Sequence, residues 1–313
     1  MIQSLSITWN PAEGLHLGPI TLRLYSLMFV VAFGLGWVIM KKIFDREGEP
    51  VEKLDKLFIY TLVATLLGAR LGHVFFYDWD YFKDHPAEIL LPFKFDPEFE
   101  FTGFAGLASH GAAIAIILTM FWYSKKIIHR PVLWVLDRVV IPVTSGGIFV
   151  RLGNFFNSEI LGSETSSKLA TAVRFIKGED SLNKYRAMKI TQTTDPNKAY
   201  DLIEHDPRFA DTLATIPFRH PAQLYEAFGY IFVFLIIFYM YWKTNSRKHH
   251  GLIFGVFLVL LWTVRFVVEF VKQSQGGFEG EHPILLTGQW LSIPFIIAGL
   301  YLIFTAKKRT ETL

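Results

Sequence analysis

Seven stretches of about 20 mostly apolar residues run through the chain, each long enough to cross a hydrocarbon core as a helix. They fall roughly at Ile20–Met40, Leu57–Tyr77, Phe104–Tyr123, Val132–Phe155, Ala222–Trp242, Leu252–Val271 and Gly288–Ala306. The first, fifth and seventh are clean. The second and fourth are interrupted by glycines and arginines, and the fourth also by Pro142. The expected fold is an all-α, polytopic membrane bundle, one integral domain over residues 1–313. Between the fourth and fifth spans lies a polar stretch, about 157–220, holding nine Lys or Arg. A connection of that length is expected to be a small head segment or lid within the domain.

Orientation follows from where Lys and Arg sit in short loops. The links after spans one, three and five are basic: Lys41, Lys42, Arg46, Lys53 and Lys56; Lys125, Lys126 and Arg130; Lys243, Arg247 and Lys248. The tail adds Lys307, Lys308 and Arg309, while the alternate loops are poorer in basic residues. With seven spans these four segments share one side, expected to be cytoplasmic. The N-terminus and the 157–220 insertion are then expected outside, in the periplasm, and the C-terminus inside.

Composition sharpens this picture in three ways. Only 19% of the 313 residues are charged, against about 25% for a soluble domain. A net charge of +3 gives no reason to expect a nucleic-acid partner. Cysteine is absent, so disulfides, thiolate metal sites and a cysteine nucleophile are excluded, and any reacting thiol must belong to a substrate. No metal-ligand spacing is evident, the His249–His250 pair lies in a cytoplasmic-side loop, and no cofactor is expected. The start of the chain lacks the basic region and cleavage site of a removable signal peptide, so insertion is expected to use internal helices.

Ionisable residues at membrane depth are costly and mark function by default. Here they are Arg70, His73, His110, Asp137, Arg138, Arg151, Glu226, Arg265 and Glu269. Asp137 and Arg138 are expected near the inner interface. The others gather in the outer half of the bilayer once the topology is applied, with Tyr25 near the outer start of the first span and Trp290 near that of the seventh. His110 is expected about two turns into the third span. Interfacial snorkelling suits Trp290 and Arg70; the rest point to a polar centre.

The densest cluster is Gly146-Gly147-Ile148-Phe149-Val150-Arg151-Leu152-Gly153-Asn154-Phe155-Phe156-Asn157-Ser158-Glu159-Ile160-Leu161-Gly162. Arg151 and Asn154, three apart, share a helix face. Arg151 and Arg265 offer rigid, permanently charged forks suited to a lipid phosphate. An i,i+4 pair between Arg265 and Glu269 is the plainer alternative for that arginine. His110, in Ser109-His110-Gly111, can serve as a base near neutral pH.

Arg151-Leu152-Gly153-Asn154-Phe155-Phe156-Asn157-Ser158-Glu159-Ile160-Leu161-Gly162 resembles the signature of the prolipoprotein diacylglyceryl transferase family. The blocks Arg23-Leu24-Tyr25-Ser26, Gly68-Ala69-Arg70-Leu71-Gly72, Ser109-His110-Gly111, His220-Pro221-Ala222-Gln223-Leu224-Tyr225-Glu226, Arg265 to Phe270 and Leu286-Thr287-Gly288-Gln289-Trp290 agree in order. The resemblance implies seven spans in the bacterial inner membrane, an outside N-terminus and a periplasm-facing site. It implies transfer of the diacylglyceryl group of phosphatidylglycerol to the lipobox cysteine of a prolipoprotein signal peptide, the first step of lipoprotein maturation. Expected partners are phosphatidylglycerol, prolipoproteins and membrane lipids. The positions matching the family's functional residues are Tyr25, His110, Arg151, Asn154, Asn157, Glu159, Gly162, Arg265 and Glu269. Two departures stand out: Ala112 follows Gly111 where the family often has a second glycine, and Ser163–Phe218 is long and charged.

In that chemistry Arg151 and Arg265 are assigned to the phosphate. His110 is assigned to the thiol proton, directly or through Tyr25. Asn154 and Glu159 are assigned to positioning. Two other classes fit the bare sequence, a transporter or channel and a non-catalytic lipid-binding protein. The first would show inverted repeats or broken helices near the midplane, which the chain lacks. The second would not need His110.

Overall fold

The computed structural model describes residues 7–12, 14–18, 20–91, 93–94, 99–101, 106–178, 181–273 and 284–310. Seven of its helices are long and apolar enough to cross a membrane: Leu24–Glu47, Val51–Tyr77, His110–Ile128, Val132–Phe156, Ala222–Lys243, Leu252–Glu269 and Thr287–Arg309. The architecture is the expected all-α polytopic bundle. Much of its apolar surface faces outward, with Val30, Leu118 and Phe304 63%, 64% and 80% exposed. That is the inverse of a water-soluble surface and fits a lipid solvent.

Two of the seven spans begin later than hydropathy suggests. Ile20–Arg23, counted above with the first span, is a strand paired antiparallel with Gly14–Leu17, and the helix starts at Leu24. Gly18 takes φ +63° at the turn between the strands, a conformation that suits glycine. In the third span Phe104 lies outside the described residues. Gly106 has φ +74° and the helix begins at Ser109. His110 is therefore in the first turn, not two turns in.

The chain divides into two compact units, residues 37–139 and residues 1–36 with 140–313. In the first unit, Val51–Tyr77 and Ser109–Tyr123 cross on small residues. A Cβ at Gly72 would stand 2.6 Å from Gly111 Cα, and Ala108 N donates to Ala69 O at 2.8 Å. Such backbone-on-backbone packing suits a medium in which side-chain burial gains little. Arg70 is buried and donates to the carbonyls of Ile89 (2.8 Å) and Glu88 (2.7 Å), with its guanidinium 4.7 Å from the Phe82 ring centre. It ties down the segment after the helix and is not a lipid-facing anchor. Asp137 and Arg138 are also buried, at 0% and 1% exposure. Arg138 pairs with Glu47 at 3.0 Å and lies over Trp134.

In the second unit, Leu252–Glu269 packs on Thr287–Thr305 through Gly255 and Gly299, with Trp262 and Phe295 stacked at 4.1 Å. The insertion has its own apolar cluster, including Ile176, Ala187, Tyr200 and Ile203, built around the helices Lys184–Thr191 and Pro196–His205. Strand Val173–Phe175 pairs parallel with Ile7–Trp9. Trp9 Nε1 in turn donates to Phe155 O at 3.0 Å. The start of the chain therefore clips the insertion to the end of the fourth span.

Candidate active site

The fourth span ends in a turn that follows from its sequence. Asn157 N, Ser158 N and Glu159 N donate to the carbonyls of Gly153, Phe155 and Asn154. Ser158 and Ile160 then take φ +54° and +56°. A β-branched residue rarely adopts that region, at a cost of roughly 1–3 kcal/mol, and it persists only where the surroundings over-determine it. They do so here. Gly162 N donates to His220 O, Ser163 N to Val271 O, and Gln273 N to Leu161 O. Arg219, buried, reaches Gly162 O and Gln273 Oε1 at 3.3 and 2.8 Å. A Cβ on Gly162 would stand 2.6 Å from His220 Cβ and 2.7 Å from Val271 O. Glycine is required at 162 by this sandwich of two backbones.

The turn carries a polar relay. Arg151 Nη1 donates to Asn154 Oδ1 at 3.4 Å. Asn154 Nδ2 and Asn157 Nδ2 donate to the two oxygens of Glu159 at 3.3 and 2.9 Å. Gln223 Nε2 donates to the backbone oxygen of Glu159. Tyr25 packs its ring over Gly153, where a Cβ would meet Tyr25 Cδ2 at 3.1 Å. Its hydroxyl is within electrostatic reach of Glu159 and Arg151.

Behind the relay lies a cluster of charges. Arg151 Nε stands 2.5 Å from Glu226 Oε2, and Glu226 is 1% exposed. The contact is one of opposite charges without hydrogen-bond geometry, so neither carboxylate oxygen has a hydrogen-bond partner. Glu269 lies against the first turn of the seventh span, where a Cβ on Gly288 would strike its carboxylate. That places an anion at a helix N-terminus, the favourable end. Its ion-pair partner is Lys272, at 3.7 Å, and not Arg265 as the i,i+4 alternative expects. Arg265 instead lies 4.8 Å from the centre of the Trp262 ring. Lys272 interacts with Glu226, Glu269, Arg151 and Arg265 together. Burial pushes its ammonium below the ordinary lysine range, while the two carboxylates pull it back up.

Eight of the nine expected site residues, Tyr25, Arg151, Asn154, Asn157, Glu159, Gly162, Arg265 and Glu269, belong to this unit. His110 belongs to residues 37–139, exposed, at the start of its helix beside the Gly68–Gly72–Gly111 crossing. Four contributors lie outside the expected site residues. Glu226 was legible as an intramembrane charge, and a buried arginine's need for a carboxylate could have promoted it. Lys272 read as a loop lysine. Arg219 and Gln223 act through backbone carbonyls and leave no trace in composition or spacing.

A family profile described as prolipoprotein diacylglyceryl transferase matches residues 13–305. Proteins named phosphatidylglycerol–prolipoprotein diacylglyceryl transferase are similar over nearly the whole length. The one from Chloroherpeton thalassium is 35% identical over 99% of this chain and 98% of its own. That from Porphyromonas gingivalis is 34% identical over 98% and 96%. That from Tolumonas auensis is 33% identical over 96% and 97%.

Proposed function

The chain belongs to the prolipoprotein diacylglyceryl transferase family, and from that premise we propose that it transfers the diacylglyceryl group of phosphatidylglycerol to a prolipoprotein cysteine. This is the first step of lipoprotein maturation. The cysteine is that of the lipobox in the signal peptide. The thiolate attacks the glyceryl C3. The S–C bond forms, the C–O bond to phosphate breaks with its electrons passing to the phosphate oxygen, and glycerol phosphate leaves. The thiol proton is taken by a base, and His110 has that role in this reading.

The observation that carries the proposal is the charge cluster. Three cations, Arg151, Arg265 and Lys272, stand against two carboxylates, Glu226 and Glu269. A phosphodiester brings a single negative charge to this cluster. Arg265 is the cation available to it, since among the described residues no carboxylate is in ion-pair reach. Preorganised cations aimed at a developing phosphate charge are the largest kind of catalytic term. Asn154, Asn157 and Glu159 position the headgroup at the turn. Gly162 holds that turn, Tyr25 covers it and Glu269 orients Lys272. The site faces the periplasmic side of the inner membrane, with the N-terminus on that side and the C-terminus in the cytoplasm, as the basic loops indicate.

The test is purified protein in nanodiscs with phosphatidylglycerol and a lipobox peptide, read by mass spectrometry. A diacylglyceryl adduct on the cysteine is expected, with an Arg265→Ala rate at least about 100-fold lower. Arg265 is the better target than Arg151, because its loss leaves no buried carboxylate uncompensated. Well-folded protein giving no adduct, beside an active relative, would sink the proposal. A His110→Gln enzyme turning over normally would remove that residue from the mechanism.

A further inference from the structure

The sixth and seventh spans, with helices Leu252–Glu269 and Thr287–Thr305, are locked together toward both ends. At one end Gly255 and Gly299 meet, where a Cβ on Gly255 would stand 2.9 Å from Gly299 O. At the other, Gln289 Nε2 donates to Phe266 O at 3.3 Å, and Gly288 lies against the Glu269 carboxylate. Between these contacts Trp262 of the sixth span stacks on Phe295 of the seventh, with ring centres 4.1 Å apart and planes 3° from parallel. Two spans that cannot slide give the indole ring one place. The Arg265 guanidinium stands over that ring, 4.8 Å from its centre.

The two arginines of the site are held in different ways. Arg151 is met by Glu226, which fixes it and takes up its charge. A carboxylate against Arg265 would leave it less charge to offer a phosphate. A long guanidinium side chain with nothing to hold it would spread over many rotamers, and Arg265 also feels the like charge of Lys272. An aromatic face meets both demands, because its negative quadrupole holds a cation without cancelling its charge. We propose that Trp262 is a positioning residue for the transfer: it holds Arg265 by a cation–π contact in the orientation that meets the lipid phosphate, and Phe295 fixes the ring. The inference rests on the proposed function, in which Arg265 binds that phosphate. The stack carries order from the packing of two spans to a charged side chain that has to be in place before the phosphate arrives. Indole is the best ring for the purpose, and at three residues before Arg265 it shares that residue's helix face.

The test places tryptophans of increasing fluorine content at residue 262 alone, by stop-codon suppression in the full chain. Fluorine drains the negative face of the ring and leaves its shape nearly unchanged. Two quantities are read: affinity for added short-chain phosphatidylglycerol, by native mass spectrometry, and the rate of transfer to a lipobox peptide. Both are expected to fall with each fluorine, by roughly 3- to 30-fold over the series. In an Arg265→Ala background the affinity series is expected to be flat, since no cation remains over the ring. A series flat in both quantities with Arg265 present, or an equal slope without it, overturns the proposal and leaves Trp262 a packing residue. Phe295→Leu, which frees the ring to turn, is expected to lower the slope; an unchanged slope overturns the part given to Phe295. Affinity that falls with fluorination, in protein that forms no adduct, fails the transferase reading and keeps Trp262 as the residue that positions Arg265 for a lipid phosphate.

Discussion

Lys272 is the residue whose chemistry departs furthest from its sequence context. On paper it follows the sixth span in a polar loop; in the fold its side chain is 9% exposed, paired with Glu269 and within electrostatic reach of Glu226. Burial, with Arg151 and Arg265 nearby, lowers its proton affinity against the pull of Glu226 and Glu269, and the net shift is downward. Its positive charge is thus complete at low pH and lost as pH rises through that lowered pKa, earlier than for a lysine in water. A phosphodiester stays charged throughout, so the loss falls on its binding. Lys272→Arg keeps the charge at all accessible pH. The ratio of its transfer rate to that of the wild type is expected to climb toward alkaline pH. A flat ratio would take Lys272 out of phosphate binding.

Glycines that look alike in the sequence part company once their elements are packed. Gly162 lies between two backbones that cannot move aside, whereas a Cβ on Gly146 meets only Ala32 Cβ at 3.7 Å. Gly162→Ala is expected to cost about 1–3 kcal/mol through overpacking and to abolish transfer. Gly146→Ala, inside a helix, is expected to be neutral or to stabilise by about 0.5–1 kcal/mol. Thermal-shift curves in detergent beside activity assays separate the two, and equal behaviour would refute the packing account. The seven spans were legible because each is a long apolar run, and the turn because its residues form a long ordered signature. The strand Ile20–Arg23 was not, since its apolar residues adjoin an apolar helix and only pairing with Gly14–Leu17 separates them. The late start of the third span was equally hidden. It depends on Ala108 giving its N–H to Ala69, a contact between distant segments.

For the molecule as a whole, the inside-out distribution of apolar surface and the run of basic links argue for one topology. The absence of cysteine makes that topology cheap to measure. A lone cysteine at Ser246, between the fifth and sixth spans, is expected to react with an impermeant maleimide only after the cytoplasmic face is opened. One at Lys198, in the insertion, is expected to react from the opposite face. Labelling of both from one side would overturn the seven-span orientation. His110 and the relay were both readable in the sequence as chemistry. The relay was readable as a group because four of its members, Arg151, Asn154, Asn157 and Glu159, fall within nine residues. Lys272 and Arg219 were not, and Glu226 was legible only as a charge at membrane depth, because what joins these residues to the relay is spatial.

The stitching of the active-site turn also sets a timetable for its birth. Ser163 reaches forward 108 residues to Val271, and Arg219 reaches back 57 residues to Gly162. At a ribosomal pace of about 5–20 residues per second, the turn waits roughly 5–20 seconds for the strand that closes over it. Until the sixth span has been made, the turn has its contacts to Arg219, His220 and Gln223 but lacks those to Val271 and Gln273. A nascent chain released after the fifth span would carry the whole signature and no reaction centre.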